Sequence, residues 1–306
     1  MKIILIVLVV LLALWVGLSF LVFHLLFASP KRSKNIPANY VGTPHYVASR
    51  KGMAIMDTLD VEDCYITSRD GLKLHAYLYP AEGGPDKKFL IGVHGYKSYA
   101  RPEFGPYIEF YRSLGYSLLL PDDRAHKPSE GKYIGFGVLD RLDVTDWAKY
   151  IVERFGDDTE ILMHGVSMGS ATVMAASAEP DLPENVFGVV ADCGYTSAEA
   201  VLEYQLRQMK LPPKLIIPGL EIVTKLLAGY NFHEHTPIEA VRNARVPILF
   251  VQGAKDTMVP EFMCHELYEA CGSRKELLYS ETAKHGETIA IEKERYEETI
   301  RRFFGI

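Results

Sequence analysis

The chain carries, from residue 160 to residue 169, the stretch Glu-Ile-Leu-Met-His-Gly-Val-Ser-Met-Gly. Its first half is a short apolar run typical of a buried strand, and the residues after it are small and compatible with a helix. Gly165 and Gly169 flank Ser167 at the point where larger side chains would collide with the strand and the helix. The stretch therefore predicts a strand, a sharp turn and a helix, with the Ser167 hydroxyl projecting from the edge of a sheet.

Two further residues are candidates to activate this serine, because a serine hydroxyl needs a base and the base needs an orienting acid. His285 lies in a loop after the strand-like run at 275–279, and Asp256 follows the apolar run at 246–251. Each candidate follows the C-terminal end of a predicted strand, which is the edge where open α/β sheets place their sites. We predict Ser167, Asp256 and His285 as the catalytic residues.

Other interpretations of these residues exist. Asp192 is an alternative acid because it also follows a predicted strand, at 187–191. Taken alone, Asp256 fits a simple turn residue and His285 fits a loop cap. We favour Asp256 over Asp192 because Asp192 leads directly into a helical insertion, and because the chain order serine, acid, histidine supports the combination.

These motifs resemble those of the serine hydrolases of the α/β-hydrolase superfamily, from about Glu62 to the C-terminus. The resemblance includes an opening hairpin at 68–74, a His-Gly turn at 93–96, and a loop at 121–131 in which Lys127 replaces the usual glycine. It is strongest to membrane-anchored esterases and to lysophospholipase-like or serine-aminopeptidase-like members. The resemblance implies an oxyanion hole formed by the backbone N–H groups of Tyr96 and Met168.

Predicted strands and helices alternate through the rest of the chain, which indicates a parallel sheet covered by helices on both faces. After a hairpin near 63–79, the strands are expected near residues 89–93, 116–120, 160–164, 187–191, 246–251 and 275–279. The helical pattern at 140–155 places Trp147 in the core rather than on a binding surface. We therefore expect one α/β-hydrolase domain at 48–306.

An insertion at about 195–244 is longer than a normal crossover, and the resemblance implies that it forms a helical cap. Its two helix-like parts are separated by Pro212-Pro213. It is rich in apolar residues, including Leu211, Leu215, Ile216, Ile217, Leu220, Ile222, Val223, Leu226 and Leu227. We expect about half of them to attach the cap to the core, and the others to line an acyl pocket or to contact lipid. His233 and His235 alternate around Glu234, so we predict no metal site there.

The N-terminal segment, residues 1–28, predicts a transmembrane anchor. From Ile3 to Ala28 the only ionisable side chain is His24, and about 20 apolar residues suffice to span a bilayer. The apolar run exceeds that of a signal peptide and lacks a small-x-small cleavage site. Residues 29–47, with three prolines, are expected to be a linker. Basic residues at 31, 32 and 34 favour a cytoplasmic catalytic domain on a single-pass protein of the cell membrane.

Charge and cysteine content exclude other classes. Beyond residue 34 the chain has 29 Lys and Arg against 39 Asp and Glu, a formal charge of −10, so we expect no nucleic-acid partner. The four cysteines show neither a disulfide framework nor a metal-binding spacing.

The sequence thus predicts a membrane-tethered serine hydrolase that cleaves a small carboxylic ester or related acyl substrate through an acyl-enzyme. This chemistry requires no metal and no organic cofactor. A serine peptidase, a thioesterase acting on protein or lipid, and a non-catalytic scaffold are the alternatives. The serine at the centre of the turn disfavours relatives that use an aspartate nucleophile.

Overall fold

The computed structural model describes residues 1–29, 41–82 and 87–306 and contains one eight-stranded sheet. Its strands are β1 (Glu62–Thr67), β2 (Lys73–Tyr79), β3 (Lys88–Val93), β4 (Ser117–Asp122), β5 (Glu160–Val166), β6 (Val186–Asp192), β7 (Ile248–Gly253) and β8 (Lys275–Ser280). The helices are α1 (Lys2–Phe27), α2 (Pro44–Met56), α3 (Ala100–Phe104), α4 (Ile108–Ser113), α5 (Asp140–Phe155), α6 (Met168–Ala176), α7 (Ala198–Gln208), α8 (Pro213–Ala228), α9 (Pro237–Arg242), α10 (Glu261–Ala270), α11 (Thr288–Ile291) and α12 (Lys293–Phe304).

The strand order is β1-β2-β4-β3-β5-β6-β7-β8. β2 pairs antiparallel with both β1 and β4, and all the other neighbouring strands pair in parallel. The predicted, mostly parallel sheet is therefore confirmed. Because β3, β5, β6, β7 and β8 run in the same direction, the loops that follow them meet at one edge of the sheet.

Two apolar layers cover the faces of this sheet, as near-continuous apolar strands require. On one face, α5, α6, α9 and α10 contribute to a core that includes the fully buried Trp147. On the other face, α2, α3, α4 and α12 pack against a core rich in tyrosine and phenylalanine. Trp147 is thus a core residue, as predicted.

A third apolar cluster lies beyond the carboxyl edge of the strands. It joins residues of α1, α7 and α8 to the loop before α5 and to the start of α6. Phe27 stacks within it on Phe232 and contacts Phe136 at ring-centroid distances of 5.8 and 5.1 Å. The predicted anchor helix is therefore partly packed into the α/β domain.

Two predicted boundaries differ from the structure. The linker at 29–47 is too long, because α2 begins at Pro44 and Ser29 already bonds to the backbone of Lys132. Thr43 caps α2 by accepting from the N–H of Tyr46, a start signal visible in the Thr-Pro pair. Residues 30–40 of this linker lie outside the described residues.

The insertion at 195–244 also divides differently from the prediction. Its first two helices, α7 and α8, end and begin on either side of Pro212-Pro213 and form the cap. Its last helix, α9, instead packs between α6 and α10 over the sheet, and Val241 belongs to the core there. The cap therefore consists of α7 and α8.

Candidate active site

Ser167 occupies the sharp turn between β5 and α6. Its backbone has φ 58° and ψ −115°, a strained conformation that costs about 1–3 kcal/mol for a residue with a side chain. A Cβ at Gly165 would overlap the carbonyl of Gly169, and a Cβ at Gly169 would overlap the carbonyl of Val93. Both flanking glycines are thus required by close backbone approach. The strand, turn and helix predicted from the sequence are present.

Asp256 and His285 come together from the loops after β7 and β8. Nδ1 of His285 lies 2.7 Å from Oδ2 of Asp256. The other carboxylate oxygen, Oδ1, accepts the backbone N–H groups of Met258 at 2.8 Å and Val259 at 2.9 Å. Because both oxygens of this buried carboxylate are held, Asp256 fixes the ring of His285 with the proton on Nδ1. Nε2 is then the unprotonated nitrogen, which can accept a proton.

The environment of His285 favours its charged form. Burial acts to lower the pKa of His285, but the hydrogen bond to Asp256 and the negative charge of that carboxylate outweigh burial and raise it above the ordinary value. Such an imidazole can take a proton from a neighbouring hydroxyl and keep it while charge develops.

Asp192, the alternative acid, has different partners. Its Oδ2 accepts from the hydroxyl of Tyr296 at 2.9 Å and, more weakly, from that of Tyr107 at 3.4 Å. Burial raises the pKa of Asp192 to about 7. Its backbone carbonyl accepts the N–H of Ser167 at 2.9 Å, so the backbone of Asp192 stabilises the serine turn. Of the two candidate acids, Asp256 is the one bonded to His285.

The His-Gly turn after β3 lies against Ser167. A Cβ built on Gly95 would be 3.3 Å from Cβ of Ser167. The buried His94 holds this turn, because its Nε2 accepts the backbone N–H of Asp123 at 3.1 Å. Met168 is the first residue of α6, where backbone N–H groups lack partners within the helix. Tyr96 and Met168 therefore border the serine from two sides.

One cavity of about 330 Å³ contains these groups. It is lined by Leu26, Tyr96, Phe136, Ser167, Tyr195, Val201, Leu202, Gln205, Met209, Met258, Val259 and His285. Ser167 and His285 are thus both exposed to the same space, although 118 positions separate them in the chain. Most of the lining is apolar, which suits a hydrocarbon group rather than a charged one.

No protein-family model matches the sequence. Protein YqkD of Bacillus subtilis is 26% identical over 198 residues, which are 64% of this chain and 65% of that protein. Membrane protein YNL320W of Saccharomyces cerevisiae is 28% identical, over 63% of this chain and 62% of that protein. The chain thus spans less than two thirds of the length of these two relatives. The α/β hydrolase domain-containing protein WAV2 of Arabidopsis thaliana is 27% identical, over 70% of this chain and 67% of that protein.

Solved structures agree on the architecture. An esterase of Pyrococcus furiosus superposes with a TM-score of 0.65 at 24% identity, over 81% of this chain and 93% of that one. The chain thus has the α/β-hydrolase fold. An acylaminoacyl peptidase of Pyrococcus horikoshii has a TM-score of 0.59 at 16% identity, over 82% of this chain and 43% of that one.

The sequence analysis did not identify one residue of this candidate site. Cys193, which follows β6 directly, places Sγ 4.0 Å from Nε2 of His285. Burial raises the pKa of Cys193 well above its ordinary value, so the group stays a neutral thiol and a poor nucleophile. The signal in the sequence that could have identified Cys193 is its position next to Asp192, at the C-terminal end of a predicted parallel strand.

Cys193, Asp256 and His285 also form the one group of potential metal ligands among the residues that the structure describes. Their chemistry does not suit a metal ion. The carboxylate of Asp256 is already engaged by His285 and two backbone N–H groups, and a metal would require Cys193 as a thiolate. In the cap, His233 pairs with Glu199 and Glu221 on the surface, and Glu234 pairs with Lys225.

The cap contributes to the cavity through α7 and the residue that follows it. Val201, Leu202 and Gln205 of α7 and Met209 line it. In α8, by contrast, Ile216, Ile217, Leu220 and Val223 are buried against the domain. None of the nine apolar residues named between 211 and 227 lines this cavity. Of the two roles expected for the exposed ones, a pocket wall or contact with lipid, the wall is supplied by other residues of the insertion, and contact with lipid stays a prediction.

Part of the cavity wall comes from α1. Leu26 lines the cavity, and its carbonyl accepts the hydroxyl of Tyr96 at 2.7 Å. The carbonyl of Leu25 accepts from Nζ of Lys97 at 2.8 Å. These bonds satisfy carbonyls of the last turn of α1 and hold the helix end beside the site. The sequence pattern predicted this segment as a separate anchor. It contains no signal that the end of α1 contacts Tyr96 and Lys97.

Proposed function

We propose that this protein is a membrane-tethered serine hydrolase that cleaves carboxylic esters of apolar acyl groups. The observation that carries the proposal is that Ser167, on its strained turn, shares one apolar cavity with a histidine held by Asp256. The similarity to an esterase of known structure supports the same class of reaction.

In the proposed reaction, Oγ of Ser167 attacks the ester carbonyl while Nε2 of His285 takes the hydroxyl proton. The carboxylate of Asp256 holds the imidazole and offsets its positive charge. Backbone N–H groups of Tyr96 and Met168 donate to the oxygen that becomes negative in the tetrahedral intermediate. His285 then gives its proton to the leaving alcohol, and an acyl-enzyme remains. Water, deprotonated by His285, hydrolyses that ester and restores Ser167.

The lining of the cavity favours an ester over a peptide with a free amino terminus. Among the described residues that line it, none is an aspartate or glutamate, so an ammonium group would enter without an ionic partner. Tyr96, Phe136 and Tyr195 instead offer apolar ring surface, and Gln205 offers a neutral amide.

The tether is proposed from α1, the one described helix long and apolar enough to cross a membrane. The description of the yeast relative as a membrane protein supports the same proposal. Basic residues at 31, 32 and 34 follow the helix, whereas Lys2 precedes it, so we propose that the catalytic domain lies on the cytoplasmic side.

The test is covalent labelling of the full chain in detergent with a fluorophosphonate, which reacts with activated serines. The unmodified chain should be labelled, and Ser167→Ala should abolish the label. Ser113→Ala is the matched control, because Ser113 lies in α4 and bonds only to the carbonyl of Phe110 in its own helix. A label that persists in Ser167→Ala would place the nucleophile elsewhere and refute the proposal.

Substrate class is tested with p-nitrophenyl esters of increasing acyl length, with matched acyl thioesters and with peptide anilides. We expect esters with acyl chains longer than acetyl to be cleaved fastest, because each methylene buried in the cavity contributes about 0.8 kcal/mol. Faster cleavage of peptide anilides would favour the peptidase instead.

A further inference from the structure

One face of α1, in its C-terminal half, packs against the cap and the domain. The residues of this face are Trp15, Ser19, Val22, Phe23, Leu26 and Phe27, which recur at helical spacing. Nε1 of Trp15 donates to the carbonyl of Leu215 at 2.8 Å, and Gly219 approaches Ser19 so closely that a Cβ there would overlap its hydroxyl. The α1 and α8 helices therefore pack side by side and run in the same direction, with the N-terminal end of α8 beside Trp15.

The free part of α1 is too short to cross a bilayer. Lys2 to Leu14 precede the first cap contact and span about 20 Å at 1.5 Å per residue. The hydrocarbon core of a bilayer is about 30 Å thick. The missing distance of about 10 Å must come from the segment that begins at Trp15, and α8 lies beside that segment. A tilt of α1 would lengthen the requirement.

The exposed side of the cap suits such a position. Met209, Leu211, Leu215, Ile222, Leu226 and Leu227 form what we term the outer cap face. Leu215, Ile222 and Leu226 recur at helical spacing and are 55%, 53% and 70% exposed, opposite the buried side of the same helix. Contiguous apolar surface of this kind marks an interaction site on a soluble domain. Here it adjoins the apolar surface of α1, where Val16, Phe20 and Leu25 are also exposed.

Two lysines mark the end of this face that extends furthest toward the membrane-spanning part of α1. Lys210 and Lys214 lie exposed at the turn between α7 and α8, at the end of the cap that reaches furthest along α1. Their long apolar stems can lie along lipid tails while the ammonium groups reach headgroup phosphates.

We propose that the outer cap face contacts bilayer lipid, so that the cap is partly immersed in the leaflet next to the catalytic domain. This inference rests on the proposed tether but not on the proposed reaction. It places the cavity, whose walls include Leu26 of α1 and Met209 of the cap, at the membrane surface. An ester dissolved in the bilayer would then reach Ser167 without crossing water.

The test uses the full chain reconstituted in dioleoylphosphatidylcholine vesicles. Leu226→Cys and, separately, Leu215→Cys are labelled with the environment-sensitive dye NBD. The four native cysteines are buried, and the unmodified chain treated in parallel gives the background label. Val61→Cys is the matched control, because Val61 is 48% exposed and precedes β1 at the opposite edge of the sheet. Doxyl-labelled phosphatidylcholine is then added to quench dye that touches lipid.

We expect the dye at residue 215, beside Trp15, to emit at shorter wavelength and to lose most of its emission to the doxyl lipid. The dye at residue 226 lies about 16 Å further toward the domain end of α1 and should show the same changes more weakly. The dye at residue 61 should emit as in water and remain unquenched. Water-like emission at 226 and 215 would overturn the proposal. Blue-shifted emission without lipid quenching would also overturn it, since a second copy or another protein would then cover the face. Fluorophosphonate labelling of the same vesicles tests the reaction separately, so the two proposals can fail independently.

Discussion

The separate substitutions Asp256→Asn and Asp192→Asn distinguish the acid that orients the histidine from the acid that supports the serine turn. Both carboxylates are buried and lie at the same sheet edge, Asp192 as the last residue of β6 and Asp256 in the loop after β7. Only their partners differ. Asparagine keeps the shape of aspartate, so each substitution changes one donor or acceptor while the surrounding packing stays in place.

At position 256 the structure predicts a severe loss of activity. The asparagine oxygen would go on accepting the N–H groups of Met258 and Val259, which turns its amide nitrogen toward Nδ1 of His285, 2.7 Å away in the native pair. Two donors cannot share that distance, so the imidazole must carry its proton on Nε2 instead. That tautomer cannot accept the Ser167 proton. The equivalent exchange in a serine-protease triad lowers kcat by about 10⁴-fold, or about 5.5 kcal/mol of barrier.

At position 192 the loss should be small. The asparagine oxygen can still accept from Tyr296 and Tyr107. Burial has already raised the pKa of Asp192 to about 7, so the group is only about half ionised at neutral pH and the substitution removes only part of a negative charge. We expect kcat/KM to fall by less than about tenfold, a barrier change below about 1.4 kcal/mol.

The assay is hydrolysis of p-nitrophenyl butyrate by the full chain in detergent, with circular dichroism to check that each variant is folded. Asp256→Asn should lose at least a hundred times more activity than Asp192→Asn. Equal losses, or a larger loss at position 192, would refute the assignment of the orienting acid.

Two further predictions concern the base and the cavity wall. Burial lowers the pKa of His285, but the bond to Asp256 and the negative charges of Asp256, Glu103 and Asp192 together raise it above the ordinary histidine value of about 6.5. Because a general base must be unprotonated, kcat/KM should fall with decreasing pH through a midpoint above that value. A pH profile with a neutral ester measures this, and a midpoint below about 6 would contradict it. Leu26→Trp should narrow the cavity and lower cleavage of an octanoyl ester relative to an acetyl ester by about tenfold, because excluding two methylenes costs about 1.6 kcal/mol. Leu25→Trp is its control, since Leu25 is exposed on the same turn, and equal selectivity in the two variants would show that α1 does not shape the cavity.

Local patterns were sufficient to predict the sheet and the turn at Ser167. Apolar runs of strand length, separated by helical patterns, predict strands at β3 to β8 because each buried strand must be apolar on both faces. The glycines at 165 and 169 predict the turn because backbone contacts there exclude any side chain. Local patterns did not identify Cys193, because a single cysteine after a strand carries no periodic signal.

The position of α1 could not be predicted in the same way. A long apolar helix has the same composition whether lipid or protein covers it, so the sequence indicates length and hydrophobicity but not which side is packed. In the sequence, nothing distinguishes Trp15, Phe23 and Phe27 from the other residues of the apolar run. Their contacts with the cap and the domain appear only in the tertiary structure. The extent of the cap could not be predicted either. Both α7 and α9 are helical segments of the insertion, and the cap includes α7 but not α9 because α9 packs against α6 and α10.

For this protein, the order of residues along the chain was enough to define the α/β architecture, the serine turn and the three candidate catalytic side chains, because each depends on contacts between near neighbours or on the common direction of parallel strands. Long-range packing alone decided which helices bound the cavity and how the apolar N-terminal helix joins the domain. Those choices depend on contacts between segments up to 200 residues apart, such as that of Trp15 with Leu215, and no local pattern records them.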